Sequence, residues 1–526
     1  MVRGLITYSL VDGVPDVKDT GPSHRPEHLE TSMATTSFVR GPWTPLELTA
    51  PLDGLLHGSA GTLTSLDPAT GEVVATVSEA STADADAAVA AARHAFETSR
   101  WRNDGALRAR VLHRWTESMR AASGRLAELL TREQGKTLGQ AHGEVAGAIN
   151  MIDYNAGQAR ALYGRSLALS PTAHGVVLRE PVGVVAAITP WNYPLNLTIR
   201  AVAPALAAGN AVVVKPASLT PAIVVAALHL LAADPELPEG ILTAVAGPGS
   251  SVGDRLVTHP DVDMIAFTGD SVTGIRIMKR AADDLKKVSL ELGGKSPNVV
   301  FADAPWDKAL AGAANAVFSA AGQICTAGSR LLVAESIAER FVAELAERTT
   351  AMRVGDGLDP SVAMGPLVSA GQLRTVLEYV DIAKADGTVL VGGERLTSDG
   401  LADGNFVAPT IVTDLDPSSR LLSEEVFGPV LAVQTFADED EAIALANSTS
   451  FGLAAGLWTA DVDRAWRVGR AIRSGTIWIN TYHHFYAEME VGGFGQSGLG
   501  RQQGVEGLLE FTETKHLNFD HAPTLF

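Results

Sequence analysis

Short apolar segments rich in β-branched residues alternate with helix-like segments along most of this chain. One series of β-rich segments lies at residues 175–178, 182–188, 211–214, 242–245 and 264–267, and a second lies at 298–301, 330–333, 388–391, 430–435 and 476–480. Helical periodicity covers residues 84–93, 108–130, 143–162 and 221–233. Such alternation is typical of βαβ units, in which helices cover both faces of a parallel sheet. The sequence therefore predicts an α/β fold with two lobes that meet within residues 270–325.

The charge and hydropathy of the chain limit the partners that it can have. A formal net charge of -19 without a basic stripe argues against binding to nucleic acid and to anionic membranes. No apolar run is long enough to span a bilayer, so no membrane association is expected. Residues 1–40 are too polar for a signal peptide and are predicted to form a loosely ordered arm.

Cys325 is the single cysteine of the 526 residues. One thiol cannot form an internal disulfide or a multi-cysteine metal site, and its isolation is compatible with a reducing cytoplasm, the expected location. Cys325 is an inert core residue, an accidental surface thiol or a nucleophile. The polar clusters elsewhere in the chain favour the nucleophile.

One such cluster follows the β-rich segment that ends at Ile188. There Pro190 and Pro194 restrict the backbone around Asn192, which holds its amide in one orientation. A fixed amide is a good donor to an oxyanion, although an asparagine in a turn can equally serve as a local cap.

A second cluster contains Glu291 between apolar and glycine residues. Desolvation there would raise the pKa of the carboxyl towards the range of a general base, whereas a structural acid would have a paired partner. Thiol, carboxylate and amide together form a coherent set of nucleophile, base and oxyanion donor.

Two further clusters suggest a phosphate-bearing ligand. Lys215 ends a predicted strand and could bind ribose or phosphate, or be an ordinary solvated lysine. The glycines of residues 247–249 and 267–274 do not match the dinucleotide fingerprint, but a helix that opens at Gly269 would offer N–H donors to a pyrophosphate.

Residues 62–517 resemble the NAD(P)-dependent aldehyde dehydrogenase superfamily. The matching motifs occur in the family's order at residues 190–194, 215–218, 267–269, 290–295, 322–325, 424–429, 492–494 and 497–501. The resemblance implies a Rossmann-like cofactor domain at 41–161 and 181–290, an α/β catalytic domain at 291–503, and a small β oligomerisation extension at 162–180 and 504–526. It also implies a homodimer or homotetramer.

The resemblance further implies a mechanism for these residues. The Cys325 thiolate attacks a small-molecule aldehyde, and Asn192 with the Cys325 backbone N–H holds the oxyanion. Hydride passes to NAD or NADP, and water activated by Glu291 hydrolyses the resulting thioester to a carboxylic acid.

By the same resemblance, Lys215 binds the adenosine ribose, Gly269 with Asp270 flanks the pyrophosphate, and Glu425 with Phe427 positions the nicotinamide ribose and ring. The other expected cofactor-binding residues are Thr189, Trp191, Ser218, Gly247, Gly274 and Leu292. The expected residues of the substrate entrance are Tyr193, Arg200, Ile324, Phe485 and Val491. No metal is expected, because no third ligand accompanies the adjacent histidines 483 and 484.

Several positions depart from the family pattern. Ser218 stands where many members have an acid, which permits NADP without selecting it. Asp270 stands where serine is common, and we expect its carboxylate to turn away from the pyrophosphate as a helix cap. Ala201 and Gln502 replace a lysine and a glutamate that relatives are thought to use for proton transfer, so an alternative water path is our hypothesis.

Two other functions are compatible with this sequence. A CoA-acylating dehydrogenase would pass the acyl group to CoA, but such relatives often lack the base at Glu291. A non-catalytic descendant of the fold would tend to lose the cysteine. The substrate itself is not specified by the sequence.

Overall fold

The computed structural model describes residues 38–521. The predicted arm at residues 1–40, apart from its last three, lies outside the described residues, as do residues 522–526 of the predicted extension. No helix within the described range is both long and apolar enough to cross a membrane.

Twenty strands and fourteen α-helices are found within the described residues. The strands are β1 (Leu46–Leu48), β2 (Leu56–His57), β3 (Gly61–Leu66), β4 (Val73–Glu79), β5 (Arg165–Ala168), β6 (Ala173–Pro181), β7 (Val184–Ile188), β8 (Ala211–Lys215), β9 (Leu242–Val245), β10 (Met264–Thr268), β11 (Lys287–Glu291), β12 (Pro297–Val300), β13 (Arg330–Ala334), β14 (Thr388–Val391), β15 (Thr410–Thr413), β16 (Val430–Phe436), β17 (Ala454–Trp458), β18 (Thr476–Ile479), β19 (Gly498–Leu499) and β20 (Thr512–Asp520). The helices are α1 (Thr82–Thr98), α2 (Gly105–Ala121), α3 (Ser123–Gln134), α4 (Leu138–Gln158), α5 (Pro194–Ala208), α6 (Pro221–Ala232), α7 (Asp254–Thr258), α8 (Ser271–Ala281), α9 (Trp306–Phe318), α10 (Glu335–Thr350), α11 (Ala370–Asp386), α12 (Glu439–Ala446), α13 (Val462–Ala471) and α14 (Gly504–Leu509).

The first large sheet has seven strands in the order β19-β11-β10-β7-β8-β9-β2. All neighbours are parallel except β19, which runs antiparallel to β11. Every residue of β7, β8 and β9 is buried, and α1 and α5 pack on these strands. The prediction of apolar strands covered by helices is confirmed for this sheet.

The second large sheet has the order β14-β15-β16-β13-β12-β17-β18. Its strands are parallel except for β14, which is antiparallel to β15 at one edge. The α/β class and the presence of two sheets agree with the prediction from the sequence. The division into domains at 41–161 with 181–290 and at 291–503 stays a prediction, although β19, inside the second range, returns to the first sheet.

A third sheet is antiparallel, in the order β20-β6-β5. Strand β20 pairs with β6 along its whole length, from Thr512 opposite Pro181 to Asp520 opposite Ala173. A fourth, small sheet has the order β1-β4-β3.

Three details differ from the sequence prediction. The periodic stretch at 108–130 is two helices, α2 and α3, because Ala122 has a ψ of 0° and the poor helix formers Ser123 and Gly124 follow it. Residues 175–178 lie in the antiparallel sheet and residues 388–391 form an antiparallel edge, so neither belongs to a parallel series.

Candidate active site

Four neighbouring strands of the first sheet end at the polar residues singled out from the sequence. Strand β7 leads into Thr189, β8 ends at Lys215, β10 ends at Thr268 and β11 ends at Glu291. These strands are adjacent in the sheet, so their carboxyl ends lie at one edge, where parallel sheets bind their ligands.

A cavity of about 540 Å³ lies at this edge. Eight of the expected cofactor residues line it: Thr189, Trp191, Lys215, Gly269, Asp270, Leu292, Glu425 and Phe427. Cys325 and Asn192 also line it. The cavity therefore brings together residues that are far apart in the sequence.

Three expected cofactor residues do not line this cavity. Ser218 donates a hydrogen bond from its hydroxyl to the Gly247 carbonyl at 3.2 Å, so both residues are engaged with each other. Gly274 lies behind Leu292, because a Cβ at this glycine would be 2.4 Å from Leu292 Cδ2. Gly274 thus shapes the cavity wall indirectly.

Lys215 is a buried lysine and not a solvated one. Its Nζ donates to the Pro216 carbonyl at 2.8 Å, and burial lowers its pKa to about 8. An ammonium group has three donors, so Lys215 can still donate to a ligand in the cavity.

Asp270 caps helix α8. Its carboxylate accepts a hydrogen bond from the backbone N–H of Thr273 at 2.8 Å, as we expected. The helix begins at Ser271, so the prediction that it opens at Gly269 is wrong by two residues.

Glu425 and Phe427 form another part of the cavity wall. Glu425 accepts a hydrogen bond from the Gly294 N–H at 3.1 Å, and burial raises the pKa of its carboxyl to about 7. A Cβ at Gly293 would be 2.2 Å from Glu425 Oε2, so a side chain there would displace the Glu425 carboxylate. The ring of Phe427 meets that of Trp191 edge to face, with 5.3 Å between their centroids.

A second cavity, of about 400 Å³, contains all five residues expected at the substrate entrance: Tyr193, Arg200, Ile324, Phe485 and Val491. Glu291 lines it as well. Three residues, Asn192, Leu197 and Cys325, belong to the walls of both cavities. The two cavities therefore meet at the thiol and the amide.

The backbone before Cys325 is strained. Ala320, Ala321 and Gly322 have φ angles of 48°, 55° and 72°, in the left-handed region that alanine rarely adopts. A Cβ at Gly322 would be 2.1 Å from the Gly428 carbonyl oxygen, so the backbone at residue 428 packs directly against the loop before Cys325. Such strain is typical of functional segments that their surroundings hold in place.

Asn192 is fixed against the cysteine loop. Its Nδ2 donates a hydrogen bond to the Gln323 carbonyl at 3.0 Å, and it is buried. The amide has a second N–H, which can point towards a reacting oxygen. Gln323 is held in turn, since its side chain accepts from the Val368 N–H at 2.9 Å and donates to the Ala320 carbonyl at 3.0 Å.

The pKa values of the thiol and of the carboxyl are both raised, but to very different values. Desolvation raises the pKa of Cys325 to about 12, although the positive charge of Arg200 opposes this. Desolvation raises the pKa of Glu291 to about 7, against the opposing charges of Arg200 and Arg501. At neutral pH the thiol is therefore protonated, and the carboxyl is poised to accept a proton.

Reasoning from the sequence missed a buried ion pair that supports Asn192. The Lys136 ammonium contacts the Glu144 carboxylate, donates to the Asn192 carbonyl at 3.0 Å and lies 3.5 Å from the centroid of the Tyr193 ring. Glu144 also accepts the first N–H groups of α5, from Leu195 at 3.0 Å and Asn196 at 3.1 Å. No motif marks these two residues, which become neighbours of the site only through the fold.

Comparisons with known proteins agree with this geometry. Residues 56–517 match the model of the aldehyde dehydrogenase family. A betaine aldehyde dehydrogenase of Bacillus subtilis (strain 168) is 41% identical over 494 residues, which cover 93% of this chain and 98% of the relative. The chain belongs to the aldehyde dehydrogenase family.

Solved structures of this family have the same fold. The crystal structure of betaine aldehyde dehydrogenase from Staphylococcus aureus in complex with NAD+ matches with a TM-score of 0.87 and 39% identity, covering 89% of this chain and 94% of that one. An apo mutant of the Staphylococcus aureus enzyme matches with a TM-score of 0.86 at the same identity, covering 89% and 94%. The predicted family and fold class are confirmed.

Two of the departures from the aldehyde dehydrogenase pattern are buried. Ala201 lies on α5, and Gln502 is 1% exposed with neither of its side-chain amide atoms hydrogen-bonded within the described residues. Neither side chain has an ionisable group that could transfer a proton.

The two adjacent histidines of this aldehyde dehydrogenase have different surroundings. His483 lines the second cavity against the rings of Trp478 and Tyr482, and burial lowers its pKa to about 4. His484 is exposed. Across residues 38–521, no group of three or more His, Cys, Asp or Glu side chains could hold a metal ion.

Proposed function

We propose that this protein oxidises an aldehyde to the carboxylic acid, with NAD+ or NADP+ as the hydride acceptor. One observation carries the proposal: the two cavities share the Cys325 thiol and the Asn192 amide. A carbonyl bound in the second cavity can therefore react with sulfur and face a cofactor in the first.

The proposed reaction begins at the thiol. Because burial keeps Cys325 protonated, attack requires a base, and Glu291 lines the same cavity with a pKa suited to this role. Glu291 takes the thiol proton, a C–S bond forms, and the aldehyde oxygen becomes an oxyanion. Asn192 and the Cys325 backbone N–H donate hydrogen bonds to that oxygen.

The bound nicotinamide supplies the two-electron acceptor that turns the thiohemiacetal into a thioester. Glu291 releases the thiol proton to water in the cavity and then removes a proton from the attacking water, whose oxygen bonds to the thioester carbon. The C–S bond breaks, the acid leaves, and the sulfur regains a proton. A thiol suits both steps because it is a strong nucleophile and a good leaving group.

The residues of the first cavity fit a dinucleotide. Lys215 offers buried N–H donors to a ribose or phosphate, and Glu425 has a carboxylate oxygen free of the Gly294 N–H for a ribose hydroxyl. The named relative from Staphylococcus aureus binds NAD+, which supports NAD as the cofactor of this chain. Since Ser218 introduces no acid, NADP remains part of the proposal.

The second cavity bears on the choice of aldehyde. The relatives named above act on betaine aldehyde, whose quaternary ammonium is cationic. Here the buried Arg200 guanidinium lines the cavity and repels a cation, while Tyr193 and Phe485 offer aromatic contacts. We therefore propose an aldehyde without a quaternary ammonium.

We also propose that the chain forms a homodimer or homotetramer in the cytoplasm. The antiparallel sheet has two edge strands, β5 and β20, and exposed apolar side chains at Leu167, Leu517 and Phe519. Exposed edges and apolar patches of this kind are normally covered by a partner chain. A chain with a single cysteine cannot form an internal disulfide, which supports a location in the reducing cytoplasm.

The test is a panel of aldehydes, measured with NAD+ and with NADP+. The panel contains betaine aldehyde, an aromatic aldehyde, an aminoaldehyde and a carboxylate-bearing semialdehyde, and the readouts are kcat/KM and the product with and without CoA. We expect acid formation independent of CoA, and none with Cys325→Ala. Formation of an acyl-CoA, or undiminished activity in Cys325→Ala, would overturn the proposal.

A further inference from the structure

Arg200 is a buried cation without a hydrogen-bond partner for two of its nitrogens. The residue is 9% exposed, and its Nε and Nη2 have no acceptor within the described residues. Its Nη2 lies 3.9 Å from Glu291 Oε2, and Glu291 Oε1 is also unpartnered. Buried charged groups are nearly always hydrogen-bonded, so three unpartnered atoms on two neighbouring side chains indicate that further polar contacts are made there.

We propose that Arg200 is the positioning residue of the Glu291 base: its guanidinium keeps the carboxylate ionised, and the two side chains together hold the water that attacks the thioester. The inference rests on the proposed function in assuming a thioester at Cys325. It assigns to Arg200 a role in hydrolysis, in addition to its exclusion of cationic aldehydes, and no direct hydrogen bond to the aldehyde.

The distance between the two groups supports a shared water. A separation of 3.9 Å is longer than a direct hydrogen bond, yet one water can lie about 2.8 Å from both atoms when it sits to one side of the line between them. The unpartnered Nε, Nη2 and Oε1 supply the further polar contacts that a buried water needs. Both side chains line the cavity that contains Cys325, so such a water lies within the reaction space.

The charges around Glu291 make Arg200 the main stabiliser of its anion. Of the basic side chains within the described range, Arg200 is the one that comes within 4.0 Å of the carboxylate. Arg501 acts on it from farther away, and Cys325 is neutral while its thiol is protonated. Glu425 acts on Cys325 from the cofactor cavity and disfavours its thiolate.

The position of Arg200 also offers an answer to the absence of ionisable groups at Ala201 and Gln502. A fixed guanidinium does not release its proton, so it cannot relay protons itself. It can lower the pKa of Glu291 instead, which lets this base lose its proton directly to water in the cavity at neutral pH. The base then returns to its ionised form without a protein relay.

The test uses a p-nitrophenyl ester, which acylates a thiol without any cofactor. The burst of p-nitrophenol counts reactive Cys325, and the steady rate after the burst reports hydrolysis of the thioester. The variants are Arg200→Gln, which removes the cation, and Arg200→Lys, which keeps it. Arg340→Gln, at an exposed residue of α10, is the matched control.

We expect the acid limb of the hydrolysis rate against pH to move upward by about one unit or more in Arg200→Gln, because an ion within a few ångströms shifts a carboxyl pKa by that amount. Arg200→Lys is expected to move it less, and Arg340→Gln not at all. The burst amplitude stays at one equivalent in each variant, which shows that the site is folded.

Two results would overturn the inference. One is an unchanged acid limb in Arg200→Gln with an intact burst. The other is an effect limited to the KM of a carboxylate-bearing aldehyde, which would make Arg200 a substrate anchor. Because the ester assay requires neither aldehyde nor cofactor, failure of the proposed function appears separately, as a wild-type protein that hydrolyses the ester and oxidises no aldehyde.

Discussion

The ammonium group of Lys136 donates a hydrogen bond to the backbone carbonyl of Asn192 at 3.0 Å, across 56 positions of sequence. The same group pairs with Glu144, which accepts the first N–H groups of helix α5. One buried ion pair therefore fixes both the loop that carries the proposed oxyanion donor and the helix that carries Arg200.

Lys136→Met is expected to destabilise the protein by about 3–5 kcal/mol, because it leaves the Glu144 carboxylate buried without its partner. Chemical denaturation measures this loss. The double variant Lys136→Met with Glu144→Gln removes both charges and is expected to recover part of it. If the double variant is as unstable as the sum of the two single variants, the pair is not coupled as described.

Glu291→Gln is expected to impair both acylation and hydrolysis. Glutamine cannot accept a proton from the thiol or from water, so steady turnover falls by about 10²–10⁴-fold. In the wild-type protein, hydrolysis is expected to decline on acidification through about pH 7, since the pKa of Glu291 lies there and only its ionised form is a base. Steady-state kinetics against pH measure both effects, and a Glu291→Gln variant with normal turnover would remove this residue from the mechanism.

Asp270 is expected to stabilise helix α8 while weakening cofactor binding. Asp270→Ala loses the bond to the Thr273 N–H and should cost about 1 kcal/mol of stability. Asp270→Ser keeps a capping oxygen but removes the negative charge, so the Kd for NAD+ should decrease. Thermal unfolding and calorimetric titration measure the two effects, and equal Kd values for the Asp270→Ser variant and the wild-type protein would contradict the electrostatic part.

Gly322→Ala is expected to impair both stability and activity. The φ of 72° costs a side chain about 1–2 kcal/mol, and the contact with the Gly428 carbonyl adds to this. Gly469→Ala is the control, because a Cβ there meets nothing within 4 Å and a helical alanine should stabilise α13 by about 0.5–1 kcal/mol. A Gly322→Ala variant with wild-type melting temperature and kcat would show that the loop relaxes freely.

The sequence predicted the parts of the site that depend on local pattern. Lys215 follows an apolar strand that the sequence predicted, and Asp270 precedes a helix in the manner of a cap. Glu291 was singled out by its apolar and glycine neighbours, whereas the strand that it ends was not predicted. The α/β class follows from the same alternation.

Other features depend on contacts between distant segments, which one sequence does not reveal. Lys136 and Asn192, which precede α4 and α5, meet only after these two helices pack together. The gap between Arg200 and Glu291 exists only after α5 packs beside the end of β11. Ser218 was expected to face the cofactor, but its hydroxyl is directed to the Gly247 carbonyl. Local pattern gives the residue type at such positions and leaves the direction of the side chain open.

The near-complete separation of the two cavity walls has a consequence for how enzymes of this kind diversify. Phe485 and Val491 contribute to one wall alone, whereas Trp191 and Phe427 contribute to the other alone. Replacements at Phe485 or Val491 can therefore change the substrate specificity while the shape of the first cavity, which is proposed to bind the dinucleotide, is unchanged. New specificities can arise through single substitutions, without passing through a variant that no longer binds its nicotinamide cofactor.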